Sequence, residues 1–207
     1  SQFAWKYQGW PGTDADQMGE VVKALGVMAS KRDAGAVVHS YLDDGFPAQF
    51  SDYTSYIGWA KFERYVVETL VGAHLGHAYG GLSYSPAMKT AVTIAVESLR
   101  PAEVCSSFYY TNTTRYSPDI TRNLVLLAAD TLQLMLVDRY LRAGAAIMPV
   151  PATEAIRVPS ADEIIDVQTI AHDMASRLDD VYPLVDWSGP QAQADELARH
   201  GNTFYDN

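Results

Sequence analysis

Apolar positions along the chain alternate between two spacings. Met18, Val21, Val22, Leu25 and Met28 recur at helical spacing, which predicts a helix over 15–33. AGAVVHSYL (34–42) is a short apolar run closed by the turn signal DDGFP, and reads as a strand. A long helical pattern follows over 53–76, with Gly76 as its stop. HAYGGLSY (77–84) is the next strand, and Ser85-Pro86 opens a helix over 85–100. EVCSSFYYTN (103–112) reads as a strand, and 117–144 as a long helix with a second Ser-Pro start. AAIMPVP (145–151) is a further strand. Ser160 and Glu163 form a capping box at the head of a helix over 160–182. FAWKYQGW (3–10) reads as a strand with a turn, and 190–200 as a last amphipathic piece before a polar tail.

Strand and helix alternate with short connections, so the expected class is α/β with about five parallel strands. The whole of 1–207 reads as a single domain, with strand–helix repeats over 3–182 and a helix and tail over 183–207. Five strands complete an open doubly wound sheet and form part of a (β/α) barrel of TIM type. Either architecture places functional residues at the carboxyl ends of the strands. Those ends are HSYLDDGFP, LSYSP, YYTNTTRYSP and VPATEAIRVP, each rich in Tyr, Ser, Thr, Asn or Asp.

Composition narrows the function classes. The net charge of −10 leaves no basic footprint for nucleic acid. One cysteine, Cys105, rules out an internal disulfide framework and fits a small core residue in a reducing compartment. The N-terminal residues have no signal-like pattern, so a cytoplasmic location is expected. The apolar run NLVLLAADTLQLMLV (123–137) is interrupted by Asp130 and Gln133, is too short to span a bilayer, and reads as a buried helix. The dinucleotide, phosphate-loop and nucleophile-elbow motifs are all absent. His74 and His77 stand three residues apart without an evident third ligand, so no metal site is expected.

The segment PATEAIRVPSADE resembles the strand-to-helix junction of the catalytic subunit of adenosylcobalamin-dependent glutamate mutase (methylaspartate mutase), which carries Pro-x-Glu-Ala-x-x-x-Pro. Glu154, Ala155 and Pro159 match, with Pro151 displaced by one. ETLVGAHLGHAYGG (68–81) is similar to another helix and strand of that family, and the resemblance extends over 35–180. It implies the later part of a TIM-type barrel and an isomerase that rearranges the carbon skeleton of an amino acid or related small acid by a radical route. It also implies a partner, because the Asp-x-His-x-x-Gly motif that holds cobalamin is absent here. A cobalamin-binding small subunit or domain would supply it. Another chain, or a second copy, would supply the remaining strands.

The resemblance also assigns residues. Glu154 falls on the glutamate that contacts the adenosyl ribose, with Pro151 and Asn112 as neighbours on the cofactor side. Glu68 falls near the glutamate that handles the substrate ammonium, and Tyr84 joins it as a catalytic candidate. Tyr41, Asp43, Asp44, Tyr110 and Arg115 are the substrate-binding candidates. The sequence also departs from the family. An arginine expected after strand 34–42 is replaced by Tyr41 and the pair Asp43-Asp44, and a lysine expected four residues before Glu154 is Val150. Asp43-Asp44-Gly45 also reads simply as a turn. Glu154 also reads as an acid favoured at a helix start. Two other classes therefore stay open: a cobalamin-independent barrel lyase or isomerase using Tyr and Glu as acid and base, and a non-catalytic subunit that completes a partner barrel.

Overall fold

Parallel strands run through the molecule in sequence order. The computed structural model describes residues 2–3, 9, 11–42, 52–80, 85–101 and 107–206. Four strands form the sheet: β2 (Val37–Tyr41), β3 (His74–Tyr79), β4 (Phe108–Tyr110) and β5 (Ala146–Met148). A two-residue stretch, β1 (Gln2–Phe3), pairs alongside β2. Each strand is hydrogen-bonded to the next in sequence, and every pairing is parallel. This is the α/β class that the alternation of patterns predicts.

The order β2-β3-β4-β5 never reverses. Right-handed crossovers then place successive helices on one side of the sheet. Burial agrees with this. Val38 and Leu75 pack with Leu25 of α1 (Asp14–Ala29). Tyr79, Tyr109 and Ile147 pack with α2 (Tyr53–Arg64), α3 (Pro86–Ser98) and α4 (Ile120–Leu141). These strand residues share one face by register. Beyond α4 come α5 (Ala161–Ala175), the short α6 (Leu178–Val181) and α7 (Ser188–Asp206). Helix α7 lies over α2 and α3, which buries α3 from Lys89 through Glu97.

Local chemistry sets the helix starts. Asp52 caps α2 by accepting from the Thr54 and Ser55 amides at 2.8 and 2.9 Å. Thr13 and Asp16 form a capping box on α1. The Ser160–Glu163 box forms as the sequence predicts. Arg157 pairs with Glu163 and, together with the Ser160 amide, holds its carboxyl down to about 2.

Several boundaries differ from the sequence reading. The helix expected over 53–76 is α-helical only to Arg64, continues as a π-helical segment (Tyr65–Leu70), and ends before Gly72. Gly72 takes a positive φ of 81°, which a side-chain-bearing residue disfavours, so the chain turns there and not at Gly76. Gly76 instead lies inside β3, which starts at His74 and not at 77. His74 and His77 are therefore strand residues three apart and face opposite sides of the sheet. Among the described residues, no cluster of three metal-ligating side chains occurs. The helix expected over 160–182 breaks after Ala175, and the expected polar tail is the last part of α7. The apolar run at 123–137 belongs to the 22-residue α4, which is long and apolar enough to cross a bilayer, contrary to the sequence reading. In this fold it packs against α3 and α5, with Leu127, Leu134 and Val137 buried.

Candidate functional site

The carboxyl ends of the strands gather most of the residues singled out from the sequence. Tyr41 ends β2 and Tyr110 ends β4, with their rings 6.1 Å apart and tilted at 42°. They lie on the sheet face away from the helices, with Ala78 of β3 in register beside Tyr41. A Cβ at Gly80 would overlap the Tyr110 carbonyl, so the crossing of these strand ends admits only glycine. Deeper on the same face, His39 meets Phe108 edge-on at 3.9 Å. Burial pushes the His39 imidazole below its ordinary range.

The β4–α4 loop is braced on two sides. Toward α3, the Asn112 amide donates to Asp130 Oδ2 at 2.6 Å, and the Lys89 ammonium donates to both Asp130 oxygens at 2.6 and 2.7 Å. The Asn112 side-chain oxygen accepts from Thr114 N and Oγ1 at 2.8 and 2.6 Å. Gln133 donates to the Pro86 carbonyl and to Thr90 Oγ1. Asn112, Arg115, Asp130 and Gln133 line a cleft of ≈ 170 Å³ between α3 and α4.

Toward β5, the buried Asn123 joins two loops. Its Nδ2 donates to the carbonyls of Ser117 and Ala152 at 2.7 and 2.8 Å, and its Oδ1 accepts from the Ser117 amide at 3.0 Å. Thr111 Oγ1 accepts from the Val150 amide, and the Tyr116 hydroxyl donates to the Val150 carbonyl. Burial raises the Tyr116 phenol to about 12, so it stays protonated and can keep donating.

These bonds fix the loop that carries Pro151 and Glu154. Pro151 is buried, and its carbonyl accepts from the Glu154 amide at 3.1 Å. The Glu154 side chain is exposed, close enough to Tyr116 to bear on its titration. Among the described residues, no lysine or arginine forms an ion pair with Glu154. An exposed carboxylate on a fixed loop, without a paired lysine or arginine among the described residues, can accept from ligand hydroxyls.

Other expected residues lie apart. Glu68 is in the π-helical segment, paired with Arg64 at 2.7 Å, and Arg64 also donates to the Leu75 carbonyl near the start of β3. It thus sits at the end of the sheet opposite Tyr41 and Tyr110. Burial raises its carboxyl, and Arg64 opposes that shift. Arg115 and Asn112 open toward the helix-side cleft, while Tyr41 and Tyr110 occupy the other face. Tyr84, Asp43, Asp44 and Cys105 lie outside the described residues.

Lys89, Thr111, Tyr116 and Asn123 escaped the sequence reading. Asp130 and Gln133 were visible there only as breaks in an apolar run. Polar residues within an otherwise apolar helix need buried partners, and here those partners are the loop before the helix and the helix beside it. Comparison with known protein families finds no matching family model, and comparison with curated proteins finds no match.

Proposed function

We propose that the chain forms part of a (β/α) barrel of TIM type and works as an isomerase subunit, rearranging the skeleton of an amino acid or related small acid with adenosylcobalamin. The observation that carries this reading is Glu154. It is held at the carboxyl end of β5 by a braced loop, exposed, and without a cationic partner among the described residues. The sequential parallel order of the strands supports the barrel, because a singly wound sheet leaves its second face to a lumen.

The residues present fit the nucleoside end of the cofactor. Glu154 would accept hydrogen bonds from the two ribose hydroxyls, and Pro151 would form the wall beside them. Asn112 is already engaged with Thr114 and Asp130, so its part is to shape the loop. The corrin would be held by a partner carrying Asp-x-His-x-x-Gly. When bound, adenosylcobalamin supplies the bond homolysis that starts the rearrangement. Tyr41 and Tyr110 would exclude water over the substrate, and Arg115, which lines the cleft on the helix side, would receive its carboxylate only if the loop after β4 turned it toward the strand ends. Tyr84, Asp43 and Asp44 keep their proposed roles as catalytic and substrate-binding residues. Glu68, paired with Arg64 at the opposite end of the sheet, is too far from the strand ends to handle the substrate ammonium there. A non-catalytic subunit completing a barrel is the second reading, favoured by that pair and by the missing family arginine and lysine.

Glu154→Gln keeps the shape and loses the charge, and is expected to weaken nucleoside binding by about 1.5–3 kcal/mol. Adenosine binding by calorimetry, with and without a cobalamin-carrying partner, measures this. Equal affinity of the two proteins would remove the main support for the mutase reading.

A further inference from the structure

The helix-covered face of the sheet holds ionisable groups that the candidate site does not use. Glu63 of α2 and His77 of β3 are both fully buried, with Oε2 and Nε2 3.3 Å apart. That distance is within ion-pair range, but the geometry is not that of a hydrogen bond. Glu63 Oε1 accepts from Trp59 Nε1 at 3.0 Å. Ser40 is the register partner of His77, and its buried hydroxyl has no hydrogen-bond partner among the described residues. The same holds for Thr93 Oγ1, both His77 ring nitrogens, Glu63 Oε2, and Arg64 Nε and Nη2.

Buried polar atoms without partners are rare in folded proteins, and so many within one layer need an explanation. Water is the smallest ligand that can donate to Glu63 and also accept from an imidazole N–H, a hydroxyl or a guanidinium. The charges around His77 come from two helices. Glu63 and Arg64 are contributed by α2, and Glu97 by α3, where it accepts from the Tyr79 hydroxyl and Arg100 at 3.1 Å each. Burial dominates and lowers the imidazole. Arg64 adds to that, while Glu63 and Glu97 oppose it.

We propose that Glu63 and His77 form a hydrated, proton-sensitive clasp between α2 and β3, which holds a neutral imidazole when closed and takes up a proton when it opens. A histidine whose folded pKa is depressed leaves stability intact above the ordinary imidazole value of about 6.5 and loses it as pH falls below that. One proton taken up on opening multiplies the open fraction by up to about tenfold per pH unit. Acid would therefore loosen the joint between α2 and the sheet. The inference does not depend on the proposed isomerase activity.

The test is amide hydrogen exchange of the full chain, corrected for intrinsic pH dependence. The open fraction of segments 53–64 and 74–79 is expected to rise about fivefold between about pH 6.5 and 5.5 in the unmodified protein, and to stay level in His77→Gln. Segment 161–175 serves as the internal reference. An equal rise in both proteins, or no rise in either, overturns the clasp. If His77→Gln does not fold, nitrogen-15 titration of the unmodified chain decides. A His77 ring still neutral below about pH 6 supports the clasp, and titration near 6.5 in the folded state overturns it. A high-resolution crystal structure with no water at Ser40, Thr93 or His77 overturns the hydration.

Discussion

Lys89 shows how a single side chain can fix a distant loop. Its ammonium is 2 % exposed, and both Asp130 oxygens lie within 2.7 Å of it. Asp130 in turn takes the Asn112 amide, so one carboxylate ties α3, α4 and the loop after β4 together. A buried pair adds little net stability over an apolar one, but removing one partner leaves a buried charge uncompensated. Asp130→Ala is therefore expected to cost about 3–5 kcal/mol, whereas the double change Lys89→Met with Asp130→Leu recovers most of that loss. Urea unfolding of the three proteins measures both effects. An unchanged midpoint for Asp130→Ala would contradict the bracing role. Neither partner stands out in the sequence, because each is an isolated polar residue in a helix and the pairing spans 41 positions.

At the scale of elements, α2 and α7 meet where both lack side chains. A Cβ at Gly58 would overlap the Phe204 ring and lie 2.8 Å from the Gly201 carbonyl. A Cβ at Gly201 would lie 2.7 Å from the Ile57 side chain. The Phe204 ring can swing aside, but the carbonyl is backbone and cannot. Gly58→Ala is thus expected to destabilise the protein by about 1–3 kcal/mol through overpacking. Thermal unfolding followed by circular dichroism would detect it, and a wild-type midpoint would show that α7 shifts freely on α2. The same region shows what the sequence concealed. Helices α3 and α5 were legible from a Ser-Pro start and a capping box, and α4 from its apolar spacing, although α4 starts at Ile120 under an Asp119 cap and not at Ser117-Pro118; strands β2, β4 and β5 were legible too. The start of strand β3 was not, because the run from Tyr65 through Gly76 keeps helical spacing of apolar residues right through the positive-φ turn at Gly72. The placement of Glu68 failed with it, since its position depends on where that helix stops. Tyr41, Tyr110, Pro151 and Glu154 were legible because the ends of parallel strands can be read from turn residues alone.

At the scale of the whole molecule, among the described residues, one face of the sheet is not covered by the helices. By register, Val37, His39, Tyr41, Phe108, Tyr110 and Met148 all fall on the face away from α1–α4. His39 and Phe108 touch across Gly76 and Ala78, with large rings over small residues, a layering that fits a sheet curled toward that face. At the β5 edge, Ala146 is exposed and Met148 is 49 % exposed. An apolar sheet face beside an outer strand that pairs on one side only among the described residues is a template for association. Closing a barrel of eight takes further strands on this side, and the proposed partner or second copy would provide them. The expected outcome is that these 207 residues alone form dimers or larger species at micromolar concentration. Met148→Lys places a charge on the uncovered face, at a position that contributes little to the core, so it should reduce association and leave the far-ultraviolet circular dichroism unchanged. Light scattering with an apolar dye as a second readout tests this. A stable monomer of the unmodified chain that binds no dye would mean that the face needs no cover, and the sheet would then be an open one, complete as it stands.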